Sequence, residues 1–263
     1  MPGTLIVSPH LDDALLSASQ VAMSASSAVV ATLFAGPPPA EVELSEWDLL
    51  TGATSSIERY HERLAEDLRA NEVVGARAVH LSFPEDQFRE GLPDAAGCTA
   101  ELAALLSEAD TVWIPAGVGG HPDHLLARDL ALAALPDDAR PAVGFYGDFP
   151  YITSYGWPSW ATGKQAPAYL DAAAWLDVEL QKIGLGEDCL TRELVTLTDA
   201  ERRLKSETVA EYRSQLAGLR LDDAWIGTRP DALHYEVRWT PTAEALSRLV
   251  RQSRERLLGR QQD

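Results

Sequence analysis

The chain of 263 residues has only two cysteines and two methionines, and its 22 lysines and arginines are outnumbered by 40 aspartates and glutamates. Each shortage excludes something. Cys98 and Cys189 lie far apart with no C-x-x-C spacing, which argues against a disulfide framework or a thiolate-held metal; both read as ordinary buried or half-buried thiols. A formal net charge of −18 argues against nucleic acid or an anionic membrane surface as the main partner. No stretch approaches the roughly eighteen uninterrupted apolar residues that a membrane helix needs. The opening "MPGTLIVSPH" also lacks a basic region before its short apolar run. Neither a membrane span nor secretion is therefore expected, and the cytoplasm is the expected location.

What is present is enough apolar sequence for a substantial core. The hydrophobic fraction is 46%, and the length suits one large α/β domain over residues 1–263 better than two small ones. Short apolar runs at 4–8, 28–36, 78–83, 111–116 and 142–147 read as strands. Between them, segments at 12–25, 55–75, near 98–108 and near 122–134 read as helices. The prolines of "GPPP" at 36–39 and the acidic stretch to Asp48 read as a long loop. Strands alternating with helices of this size imply parallel βαβ units, so a Rossmann-like, doubly wound, mostly parallel sheet is expected, ordered 3-2-1-4-5. Beyond residue 150 an aromatic, loop-like stretch precedes a helix at 199–217, a strand at 233–239 and a final helix at 242–258, which form carboxyl-terminal additions.

Two loops carry chemistry. The first strand is followed by "SPHLDDALLS", with His10, Asp12 and Asp13; the fourth is followed by "GVGGHPDH", with His121, Asp123 and His124. One aspartate suffices to cap a helix, so a pair needs another reason. In the expected strand order, strands one and four are neighbours at the switch point, where ligands bind beyond their carboxyl ends. Two imidazoles and one carboxylate there suit Zn²⁺ with a position open to water, and suit Fe²⁺ or Mn²⁺ as well. A remaining carboxylate beside the ion suits a general base, which points to hydrolysis.

"SPHLDDALLS" and "GGHPDH" resemble the two signatures of the PIG-L/LmbE-like family of metal-dependent N-deacetylases. "RLAEDLRANEVVGA" (63–76), "FPEDQF" (83–88) and "KSETVAEYRSQ" (205–215) are similar to further family segments. The resemblance implies His10, Asp13 and His124 as metal ligands and Asp12 as general base. It also implies His121, protonated, as the group that stabilises the oxyanion or protonates the leaving amine, with Asp123 orienting a histidine. Arg63 and Asp86 match sugar-contacting positions, and the implied substrate is a small-molecule amino sugar or amino-sugar glycoside carrying an N-acyl group. Two departures stand out: Ala14 follows Asp13 where the family commonly has Glu, and Gly119 stands where some relatives have a tyrosine.

Other residues invite weaker expectations. Tyr146, Phe149, Tyr151, Tyr155, Trp157 and Trp160 form an aromatic stretch that either overhangs the site or packs as a loop. His234 and Glu236 either point into the cleft or occupy an edge position, while His61 and His80 read as structural. Two other functions compete with N-deacetylation of a sugar. One is cleavage of a larger amide such as a thiol conjugate; the other is a metal-binding module without turnover.

Overall fold

The computed structural model describes residues 3–136, 141–154, 156–163, 172–221 and 231–260. The chain begins with β1 (Thr4–Ser8), α1 (Asp13–Ser24), β2 (Ala28–Thr32), α2 (Glu46–Leu50), α3 (Ser56–Val74) and β3 (Arg77–His80). Next come α4 (Ala95–Leu106), β4 (Thr111–Pro115), α5 (Pro122–Ala134), β5 (Ala142–Tyr146), α6 (Ser159–Thr162) and α7 (Ala172–Gln181). The carboxyl-terminal part adds β6 (Leu190–Thr196), α8 (Asp199–Glu211), α9 (Leu216–Leu219), β7 (Tyr235–Pro241) and α10 (Ala243–Arg260).

One seven-stranded sheet runs in the order β3-β2-β1-β4-β5-β7-β6. The pairings among the first five strands are parallel, and β7 pairs antiparallel with both β5 and β6. This is the expected mixed, mostly parallel α/β architecture, with the additions continuing the sheet beyond β5. Central strand β1 shows why its middle residues are all apolar: Leu5 and Val7 enter one core cluster with α4 and α5, while Ile6 enters the other with α1 and α3. Helices therefore cover both faces.

The boundaries differ from expectation where no apolar period marks them. Strand β6 has no counterpart in the sequence reading because it is a mostly exposed edge, "LTRELVT", without a buried face. Helix α7 and the one-turn α2 and α6 were likewise not expected. The helix expected at 199–217 is broken, α8 ending at Glu211 and α9 starting at Leu216. Helix α4 starts at Ala95, earlier than expected, because Asp94 accepts a hydrogen bond from the Gly97 N–H and caps it. In α3, Ser55 and the left-handed Gly75 close the two ends as the sequence reading placed them.

Glu236 is not in the cleft. Its carboxylate is buried between α1, α8 and β7, accepting from Ser19 Oγ and Lys205 Nζ, both at 2.8 Å. Both charged side chains are only 1% exposed, so removing one strands the other in a dry interior. Lys205→Met is expected to lower the unfolding free energy by about 3–5 kcal/mol, read from urea denaturation. Among the described residues no helix is long and apolar enough to cross a membrane.

Candidate active site

The site forms where β1 and β4 release their chains side by side. Ser8, at the end of β1, donates from Oγ to the His10 carbonyl at 2.7 Å and accepts from the Ala14 N–H at 2.9 Å, folding the loop back on itself. Within it Asp12 takes φ 137° and ψ −38°, a left-handed conformation that disfavours any residue with a Cβ. Asp12 stands at the helix N-cap position, yet its side chain makes no capping hydrogen bond. Capping therefore does not explain the residue; its buried carboxylate is turned to the pocket instead. The facing loop enters α5 through His121, whose Nδ1 accepts the Asp123 N–H at 3.2 Å, with Pro122 in the first helical turn.

The two loops bring His10, Asp13 and His124 together, one ligating atom of each lying within 4.8 Å of the others. Asp13 Oδ2 lies 3.0 Å from His10 Nδ1 and 3.2 Å from His124 Nε2. Each imidazole is held from behind: His10 Nε2 meets Asp123 Oδ2 at 2.9 Å, and His124 Nδ1 meets Asp148 Oδ1 at 2.7 Å. Asp148 is fully buried and its other oxygen accepts the Gly117 and Val118 N–H groups at 2.7 and 2.9 Å. These carboxylates fix which ring nitrogen faces Asp13, the arrangement that metal-ligating histidines use.

Electrostatics point the same way. Burial opposes charge on His124, but Asp13 and Asp148 outweigh it and raise its pKa to about 9. Burial likewise opposes charge on His10, and hydrogen bonds to Asp123 and Asp13 overcome it. For Asp13 burial favours the neutral acid, yet the two histidines hold it well below the ordinary carboxylate range. The pocket thus stabilises positive charge at the point where the three ligating atoms converge. Two nitrogens and an oxygen, without sulfur, fit a divalent cation of hard to borderline character. A second group, His10, His121 and Asp123, is also close enough to hold an ion. Both Asp123 oxygens are already engaged, however, one by Arg89 and the other by His10 and the Asp86 N–H, and the Arg89 cation repels another.

Two further shifts set roles. Burial raises the Asp12 pKa well above the ordinary value, the neighbouring Asp13 carboxylate adds to this, and Arg63 and His10 act in the opposite sense. His121 is lowered to about 4, first by burial and then by the His10 and His124 charges. With Nδ1 accepting a backbone N–H, the neutral ring carries its proton on Nε2. A protonated His121 was expected from the sequence; burial and its helix-cap bond favour the neutral ring.

The cleft over the site has a volume of about 180 Å³. Arg63 and Asp86 both line it. Arg63 is buried and donates from Nη1 to Glu85 at 2.6 Å, while the Asp86 side chain is 52% exposed at the rim. Among the described residues of the aromatic stretch, only Tyr151 lines it. Tyr146 and Phe149 are core, Trp157 donates to the Asp231 carbonyl, Trp160 lies under Arg192, and Tyr155 is outside the described residues. His234 does not line it, and His80 binds Asp67 at 2.7 Å as a structural residue. Cys98 and Cys189 are free, the first buried and the second partly so. Asp148, Glu85, Arg89, Trp47 and Gln215 were missed. Asp148 lies just past the end of β5, but a lone carboxylate there does not differ in sequence from a solvated loop residue.

A doubly wound sheet with a histidine–aspartate cluster over the β1/β4 switch point defines an α/β domain with a candidate metal-binding site. Residues 5–135 match the family model PIG-L, GlcNAc-PI de-N-acetylase, and the chain belongs to that family. Membership supports an N-deacetylase hydrolase. Among solved structures the chain is similar to a deacetylase triple mutant of the teicoplanin biosynthetic pathway, at 22% identity over 91% of this chain and 97% of that one, with a TM-score of 0.68. It is also similar to the A40926 pseudoaglycone deacetylase, at 24% identity, 90% and 96% coverage and a TM-score of 0.64. The N,N′-diacetylchitobiose deacetylase from Pyrococcus horikoshii, complexed with its inhibitor, is similar at 15% identity, 91% and 84% coverage and a TM-score of 0.53. At these identities the likenesses establish the fold. Comparison with curated proteins finds no match.

Proposed function

We propose that the chain is a zinc-dependent hydrolase that removes an N-acetyl, or other N-acyl, group from an amino sugar or an amino-sugar glycoside. The observation that carries this reading is the convergence of His10, Asp13 and His124 with the uncapping, pocket-facing Asp12 beside them. The family match and the amide-cleaving neighbours favour it over a larger amide or a silent metal module. We read residues 1–263 as one domain, since β1 to β7 all join one sheet. Two free thiols without a disulfide suit a reducing cytoplasm.

His10 Nδ1, Asp13 and His124 Nε2 are the ligands in this reading. A divalent cation held there supplies Lewis-acid polarisation of the acyl carbonyl and lowers the pKa of water. Asp12 takes the proton of the attacking water, which its raised pKa favours. His121, a neutral Nε2–H donor, hydrogen-bonds the carbonyl oxygen as it gains negative charge. The protonated Asp12 then delivers that proton to the departing nitrogen, releasing the free amine and the carboxylic acid. Asp123 keeps His10 oriented and is itself held by Arg89. Arg63 and Asp86 face the sugar hydroxyls from the outer wall.

Amine release from a panel of N-acetylglucosamine derivatives tests the reading, with acyl-chain length varied to separate acetyl from larger amides. Release from at least one N-acyl sugar is expected; metal-replete protein inactive on every member contradicts the substrate class. Asp148→Asn should weaken metal affinity about 10–100-fold by freeing the His124 ring, measured by competition with a chromogenic chelator.

A further inference from the structure

We propose that the Tyr151 phenol donates a hydrogen bond to the substrate's acyl oxygen as that oxygen becomes negative, making Tyr151 a catalytic residue alongside His121. The inference rests on the N-deacetylase reading and deepens it. Tyr151 opens a one-turn 3₁₀ segment, Tyr151–Thr153, immediately after β5. Its position is set by the loop that also carries Asp148: the Ile152 N–H donates to the Asp148 carbonyl at 2.8 Å, and the Tyr151 carbonyl accepts from Trp175 Nε1 at 3.1 Å. The carboxylate that orients His124 and the phenol therefore share one short, braced segment.

The ring lies on the reacting side of the cleft. It stands edge-on to His124, with centroids 5.5 Å apart at 90°, and 6.3 Å from His121. Its seat is Gly119, at φ +90°, where an added Cβ would come within 2.6 Å of the Tyr151 ring. The glycine is thus required twice, for its backbone and for the space it leaves, and the ring fills that space against the histidines. Any side chain at position 119 would displace it.

The hydroxyl has no assigned work in the fold. The buried tyrosines elsewhere are satisfied: Tyr146 donates to the Val7 carbonyl and Tyr212 to Asp67 Oδ1, each at 2.8 Å. Tyr151, which lines the cleft, makes no side-chain hydrogen bond to any described residue. The phenol is open to the cleft rather than sealed in the core, so a substrate group that enters there can accept from it. The described ring contacts of Tyr151 are to His121 and His124, the two histidines at the candidate reacting centre, so the acyl end of a substrate bound there comes against the phenol's side of the cleft.

Tyr151→Phe removes one oxygen and keeps the ring in its seat. Removing a donor to a developing oxyanion is expected to lower kcat about 100-fold with KM nearly unchanged. A second readout is independent of turnover: affinity for an N-acetylglucosamine analogue whose acetyl carbonyl is replaced by a tetrahedral methylphosphonyl group. That affinity should fall by a similar factor, while binding of the planar N-acetyl substrate to Asp12→Asn should change less than about threefold when Tyr151→Phe is added. Metal content and Tm should match wild type. If wild type turns over N-acyl sugars and Tyr151→Phe keeps its kcat and its analogue affinity, the role of Tyr151 is overturned alone. If wild type neither cleaves any N-acyl sugar nor binds the analogue, the N-deacetylase reading falls and this inference with it.

Discussion

Asp12→Asn is expected to lower kcat about 10²–10⁴-fold while the protein keeps its metal, since a side chain that serves as proton acceptor contributes that much and ligates nothing. Asparagine preserves size and cannot take the proton. Metal content by elemental analysis and amine release, measured on one preparation, separate the two roles: loss of metal would make Asp12 a ligand, and unchanged turnover would place the base elsewhere. The backbone gives the residue a second signature. At φ 137° a Cβ is disfavoured, and such strain costs on the order of 1–3 kcal/mol. Asp12→Ala and Asp12→Gly both delete the carboxylate, but only glycine releases the strain. The glycine variant should therefore be the more stable of the two by about 1–2 kcal/mol in urea denaturation, despite its larger unfolded-state entropy. An alanine variant equal to or more stable than glycine would show that the loop relaxes.

His124→Ala is expected to abolish both metal retention and turnover, and His10→Ala to do the same. His124 is 1% exposed and flanked by Asp13 and Asp148, which hold its ring at the point where the ligating atoms converge. Removing it leaves two buried carboxylates facing each other without their shared cation, so the loss extends to stability. Wild-type protein should show a related effect on chelation. A ligand that binds only the folded state at a thousand times its Kd stabilises by about 4 kcal/mol, so stripping the metal should lower Tm reversibly and adding it back should restore both Tm and activity. A Tm indifferent to chelator would mean that no cation is held in the folded chain.

The parallel half of the fold was legible because its strands are short apolar runs separated by capped helices; even the strand order followed from that alternation. Leu5 to Ser8 and Val112 to Pro115 announce themselves. The antiparallel extension was not, because β6 exposes most of its side chains and carries no period that distinguishes it from a loop. At the site, His10, Asp12, Asp13, His121, Asp123 and His124 were legible as two dense loops brought together by topology. The supporting residues were not. Asp148, Glu85 and Arg89 act through contacts across the fold, and a lone carboxylate or arginine in a loop resembles any solvated one until its partner is seen. Tyr151 was hidden among six aromatics, of which packing in three dimensions singled it out. The charge state of His121 was also beyond sequence, since it depends on burial and on one backbone N–H at the start of α5.

In the proposed reading, the two loops that bring His10 to within 2.9 Å of Asp123, 113 residues away, also close around one cation. Anomalous diffraction from crystals of the metal-loaded protein, recorded on either side of the zinc absorption edge, tests it most directly. One strong peak is expected, about 2.0–2.2 Å from His10 Nδ1, an Asp13 oxygen and His124 Nε2 together. A peak bound by other residues, or metal-replete crystals with no peak among these three, would contradict it.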